Sequence, residues 1–212
     1  MHYLRIPFSV PPWPRFLTEL RIDVKQRPSE IERELDALYR RLNSPGDSLY
    51  RMPVICMKLR NLVLRHREAD GEQYVYVLDQ INNCLAGYVV FNRLVEVDRR
   101  ADPHLRAPHA KFSGAYQRLG IATAIYQWWL DAGNCLITGA RQSEGANALW
   151  CSLGRRYEYF HVELRDKRLR CLDDQIDGRV LRDLHTRKVL LGKGWSRELL
   201  AQRTGMWMAP DV

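Results

Sequence analysis

The chain contains no CxxC pair, no repeat, no low-complexity tract, and no apolar run near the ~18 residues that a membrane span needs. Each absence excludes a class of protein. The five cysteines, Cys56, Cys84, Cys135, Cys151 and Cys171, are odd in number and scattered. That spacing argues against a disulfide framework and against a Cys-rich zinc site, so no metal is expected. Thiols of this kind suit a reducing cytosol. Met1 to Pro14 has no long apolar core behind a basic start, so no secretory signal is expected. The expectation is a cytoplasmic protein without a membrane partner; oligomeric state is not legible.

What is present is a core and a charge. Of 212 residues, 46% are hydrophobic and 27% charged, enough for one packed domain over 1–212. The net charge is +8. A basic surface attracts phosphorylated small molecules, acidic proteins or nucleic acid.

The hydrophobic spacing predicts a mixed α/β chain. Ser29 to Asn43 reads as a helix, with Ser29 and Glu32 as a capping box and Ile31, Leu35, Leu38, Tyr39 and Leu42 on one face. Residues 2 to 9 suggest a strand that Pro11, Pro12 and Pro14 end. Residues 53 to 66 stay ambiguous between helix and strand. Gln73–Asp79 and Leu85–Val97 read as a hairpin, and Asp98–Pro108 as a polar loop. A strand is expected over Lys111–Tyr116, a helix over Gly120–Ala132, a short strand over Cys135–Thr138 and a helix over Glu144–Leu153. A second hairpin spans Tyr157–Leu164 and Lys167–Leu172. The tail, 173–212, reads as a helical extension, with one helix near Asp177–Leu191 and another after Ser196.

The junction at residues 117–122 carries the chemistry. A helix N-terminus offers unpaired N–H groups and the positive end of its dipole. Gly120 has no side chain to keep a phosphate away from that backbone, and Arg118 adds a positive charge. Gln117, Leu119, Ile121, Ala122 and Thr123 complete the turn.

The run Q-R-L-G-I-A-T-A-I-Y resembles the acetyl-CoA signature of the GNAT superfamily of N-acyltransferases, Q/R-x-x-G-x-G/A. Residues 73–97, with Ala86-Gly87-Tyr88-Val89-Val90, resemble that family's central hairpin. Ser143-x-x-Ala146-x-x-Leu149-Trp150-x-x-x-Gly154 resembles its later motif, Asn-x-x-Ala-x-x-Leu-Tyr-x-x-x-Gly-Phe. The resemblance covers roughly 73–172, and the 157–172 hairpin is taken as its closing pair of strands. It implies a central, mostly antiparallel twisted sheet flanked by helices, and transfer of acetyl from acetyl-CoA to a primary amine by direct attack. Amides of Gln117 to Ala122 would hold the pyrophosphate. An N–H near Gly114 or Ala115, before Tyr116, would polarise the thioester carbonyl.

The pattern also departs from that family. Trp150 stands where a tyrosine often protonates the leaving thiolate; an indole N–H is too weak an acid for that, but as a cofactor-binding residue it could still donate a hydrogen bond to sulfur. Ser143 replaces the motif asparagine, with Asn147 one turn later. Tyr157 is a candidate substitute acid, and Cys151 a further one. Glu96 and His109 are candidate bases. Two other readings stay open. One is a binding or inhibitory module that has lost catalysis. The other is an acyltransferase on charged tRNA, suggested by Arg99, Arg100, Arg106, Lys111 and Arg118 against Asp102 alone.

Overall fold

A computed structural model describes residues 27–59, 61–172, 177–181 and 183–208. The strand expected over residues 2 to 9 lies outside the described residues.

Helix α1, Pro28–Leu42, opens on a proline whose fixed φ suits a first turn. It therefore begins one residue before Ser29, and the expected Ser29–Glu32 box does not form. Glu30 closes the end instead, its Oε2 accepting from the Arg27 amide at 3.4 Å. Strands β1 (Val54–Leu59), β2 (Leu62–Ala69), β3 (Glu72–Asp79) and β4 (Cys84–Asn92) follow as an antiparallel meander. The ambiguous stretch after residue 53 is thus a hairpin. Strand β4 stops at Asn92, five residues short of Val97.

Strand β5 is Leu105–Phe112, not 111–116. The arginines and prolines that read as a loop are absorbed by tertiary partners. Asp102 pairs with both Arg93 and Arg106. Pro108 sits where one strand edge has no ladder partner, the place a proline is tolerated. Beyond β5, Gly114–Tyr116 form a 3-10 turn, and helix α2 runs Ile121–Asp131. Strand β6 is Cys135–Ile137, and helix α3 is Glu144–Leu153, as expected. The Ser143 hydroxyl caps α3, accepting from the Ala146 amide at 3.2 Å.

The tail differs most from expectation. Strands β7 (Tyr159–Arg165) and β8 (Arg168–Cys171) make the anticipated hairpin. The expected helix over 177–191 is only α4, Gly178–Leu181, followed by strand β9, Thr186–Leu190. Strand β9 lies between β6 and β7, so the 157–172 hairpin does not close against β6 directly. Ladders on both edges hold β9 extended against its local pattern. Helix α5, Arg197–Thr204, starts at the Ser196 cap as expected.

The nine strands run β1-β2-β3-β4-β5-β6-β9-β7-β8, antiparallel throughout except for β5 against β6. Alternation along the strands sorts the core. Val89, Phe91, Ala110 and Phe112 face α2 and α3, where Trp129 stacks on Phe91 at 4.2 Å. On the other face Tyr76, Tyr88 and Val90 meet α1. Further along that face, Leu105, Ile137, Val162 and Val189 pack under Leu200 of α5.

Candidate functional site

Two local features meet at the end of β5. The first is a gap in the sheet. Strand β5 pairs with β4 from Ala107 to Phe112, but with β6 only at Leu105 and Arg106. Past Arg106 the two parallel strands part, and one edge of residues 107–112 has no strand partner. The second is the turn into α2. Arg118 and Gly120 both adopt positive φ, at 56° and 78°. A Cβ built on Gly120 or Gly114 would meet nothing within 4 Å, so the space beside both is open. Residues 117–120 are exposed, while Ile121 anchors the helix in the core at 2% exposure. Among the described residues nothing accepts from the amides of Gly120, Ile121, Ala122 or Thr123. The first turn of α2 has no acidic side chain. Arg118 makes no ion pair among the described residues. A helix end with free donors, a left-handed glycine and a nearby guanidinium suits an anion, and a phosphate above all.

The turn is tied down from below. Gln117 Nε2 donates to the Phe112 carbonyl at 3.0 Å. The Tyr116 hydroxyl donates to Asp79 Oδ2 at 2.8 Å and touches Cys84 Sγ at 3.4 Å. Asp79 in turn accepts from the amides of Asn82 and Ile81 at 2.9 Å each. The Asn82 amide, the Tyr116 hydroxyl and the Asn82 side chain together hold the Asp79 carboxyl down at about 2. The β3–β4 turn therefore braces the turn that leads into α2.

No protein-family model matches the chain, and no curated protein matches it in sequence. A solved structure similar to it is a GNAT superfamily phosphinothricin acetyltransferase from Sinorhizobium meliloti in complex with acetyl-CoA. The identity is 19%, the TM-score 0.36, and the match covers 58% of this chain and 63% of that one. The chain thus spans less than two thirds of that protein. A likeness of this size bears on neither the reaction nor the residues that would carry it.

The remaining sequence candidates scatter. His109 lies on β5 beside the parted edge, opposite Val90. Burial and the neighbouring Lys111 lower its pKa, partly offset by Glu34. Glu96 is engaged elsewhere, accepting from buried Arg187 Nη2 at 2.9 Å. The Tyr157 hydroxyl donates to Asp131 Oδ1 at 2.8 Å, at the far end of α2. Eleven residues of helix put that end about 16 Å from Gly120. Burial, then the bond to Asp131, push the Tyr157 phenol up to about 12. Trp150 is 2% exposed and packs in the core with Leu153 and Tyr126. Asn147 accepts from Lys188 Nζ and lines a polar cleft of about 320 Å³ with Thr138, His161 and Lys188. Cys151 is exposed on the outer side of α3.

One expectation about charge also changes. Arg93 and Arg106 share Asp102, Arg100 donates to the Gln202 carbonyl, and Lys111 pairs with Glu34. Arg106 and Lys111 are thus paired within the protein, while Arg99, Arg100 and Arg118 stay exposed. The sequence reading missed Glu34 and Asp79 altogether. Asp79 had a signal, since an Asp before Asn82-Asn83 marks an Asx-type turn. Glu34 had none, because its partner lies 77 residues away.

Proposed function

We propose that the protein transfers an acyl group, acetyl in the first instance, from an acyl-CoA to a primary amine by direct attack. The observation that carries this reading is the conjunction at the end of β5: an open helix N-terminus beside a gap between parallel strands. The free amides of residues 118–122 and the Arg118 guanidinium would hold the pyrophosphate. The unpaired edge of 107–112 would line the pantetheine arm. The amide of Gly114 or Ala115 would donate to the carbonyl oxygen as charge develops there. His109 is the base that best suits the geometry. It lies on the strand at the gap, and its depressed pKa keeps the imidazole neutral and able to accept a proton. Neither Glu96 nor Tyr157 is kept in a catalytic role.

Titration calorimetry with acetyl-CoA tests the reading. Binding is expected; no heat at millimolar ligand overturns it. A second reading has one observation in its favour. With Trp150 buried and Tyr157 bound to Asp131, neither side chain stands ready to protonate a leaving thiolate. A module that binds acyl-CoA without turnover fits that arrangement. Acetyl-CoA binding with no thioester consumption across a panel of amines would select it.

A further inference from the structure

On the α1 side of the sheet, two apolar clusters stop short of each other. One lies under α1 against β3 and β4, and the other under α5 against β6, β7 and β9. Between them the strand that borders the gap presents His109 and Lys111, and neither belongs to either cluster. Lys111 Nζ bonds to Glu34 Oε2 at 2.8 Å. The Tyr88 hydroxyl donates to Glu34 Oε1 at 2.5 Å, and Lys111 stands 5.9 Å over the Tyr88 ring. The pair is only partly covered, with side-chain exposures of 17% for Lys111 and 35% for Glu34. A cation and an anion thus sit together over β4 and β5, on the face opposite α2.

We propose that this pair seats the acceptor, and that the acceptor is an amino-acid-type zwitterion, an amine with a carboxylate close by. The inference rests on the acyl-transfer reading above. Its reason is charge conservation in a half-buried place. A simple amine that took Glu34 would strand Lys111 without its partner, and removing one member of a covered ion pair is costly. A zwitterion replaces both partners at once. Its ammonium meets Glu34, its carboxylate meets Lys111, and no charge is left unpaired. His109, two residues from Lys111 on the same strand face, then takes one proton from the ammonium. The freed nitrogen bonds to the thioester carbon, and the C–S bond breaks with its electron pair going to sulfur. The acylated nitrogen's second proton passes to the thiolate, and the proton held by His109 is released to solvent.

The test is a competition read on one enzyme sample. Acetyl transfer to phenylalanine and to phenethylamine, which lacks only the carboxylate, gives a ratio of kcat/KM values in which the folded fraction cancels. The ratio is expected to exceed tenfold in favour of the amino acid. Lys111→Met should collapse it toward unity, mainly by raising KM for phenylalanine, and Glu34→Gln should slow both acceptors. The same comparison is run with several amino-acid and amine pairs, and binding of each to the acetyl-CoA complex is followed by calorimetry. Equal ratios in the wild type, an unchanged ratio in Lys111→Met, or no acceptor bound or acylated from the panel would each overturn the inference. Acetyl-CoA binding is measured first on each sample. Its loss would overturn the transfer reading itself, whereas binding without a preference for zwitterions would sink only this inference.

Discussion

The two ends of α2 treat the same backbone chemistry in opposite ways. At the C-terminal end the carbonyls of Trp128, Trp129 and Leu130 all accept from the protein. Their donors are the Ala132 amide, the Asn134 side chain and amide, and the amides of Gly133 and Lys193. Even the next carbonyl, that of Gly133, takes the Trp195 indole N–H at 2.7 Å. At the N-terminal end none of the first-turn amides meets an acceptor among the described residues. Both ends carry a left-handed glycine, Gly120 at φ 78° and Gly133 at φ 84°. One glycine looks onto open space, and the other lies against the Lys193 carbonyl. A fold that can cap a helix this thoroughly at one end leaves the other accessible without strain on its packing. The difference separates a structural terminus from one available to a ligand.

The sharpest way to break this contrast is to load both glycines equally. Gly120→Val and Gly133→Val each force a β-branched residue into a left-handed conformation, at a cost of about 1–2 kcal/mol in stability. Only Gly120→Val also fills the open space at the first turn. Its dissociation constant for acetyl-CoA should rise about tenfold or more, equivalent to losing about 1.4 kcal/mol of phosphate contact. Gly133→Val should bind as the wild type does once folded. Equal affinities in calorimetry would show that the open end is not where the ligand sits.

The same contrast explains what could be read from sequence. The 117–132 segment was legible because its information is local: a glycine, a cationic neighbour, and Ile121, Ile125 and Trp129 on one buried face. Helix α3 was legible for the same reason, through its Ser143 cap. Strand β9 was not. Val180, Leu181 and Leu184 have helical spacing, yet in the structure they are 40–51% exposed. What makes Thr186–Leu190 a strand is the pair of ladders to β6 and β7, supplied by residues far away in sequence. Strand β5 was hidden behind its arginines and Pro108, whose cost is met by Asp102 and by the unpaired edge. Locally coded elements were found, and elements imposed by the sheet were missed, including the gap beside β5 and the Glu34–Lys111 pair.

A milder perturbation of the open end is Arg118→Gln. The side chain is exposed, so its loss should raise the acetyl-CoA dissociation constant by about two- to fivefold, as for a screened surface charge. The effect should shrink with added salt, whereas that of Gly120→Val should not. At the closed end, Tyr157→Phe removes one hydrogen bond to Asp131 and should cost about 1 kcal/mol of stability with no change in turnover. A loss of turnover at neutral pH, with the wild type's alkaline limb abolished, would instead return Tyr157 to the role of acid.

The smallest effect on stability is expected at His109, on the strand that feeds the open end. Burial lowers its folded pKa below the unfolded value of 6.5, so between the two the unfolded chain binds more protons than the folded one. Stability therefore increases with pH across that window and is level above it; acidification through 6.5 destabilises. Lys111 and Glu34, bonded to each other, are the charged groups around the ring, and the Tyr88 hydroxyl is bonded to Glu34. His109→Gln should flatten the stability slope just below pH 6.5, the side to which the pKa is lowered, as read by thermal melts in steps of pH. Turnover adds the decisive readout. If His109 is the base, the acidic limb of kcat/KM falls in the same window and vanishes in the variant together with most of the rate. If the slope flattens while the rate and its acidic limb persist, His109 is a buried imidazole and nothing more, and the proton leaves the amine by another route.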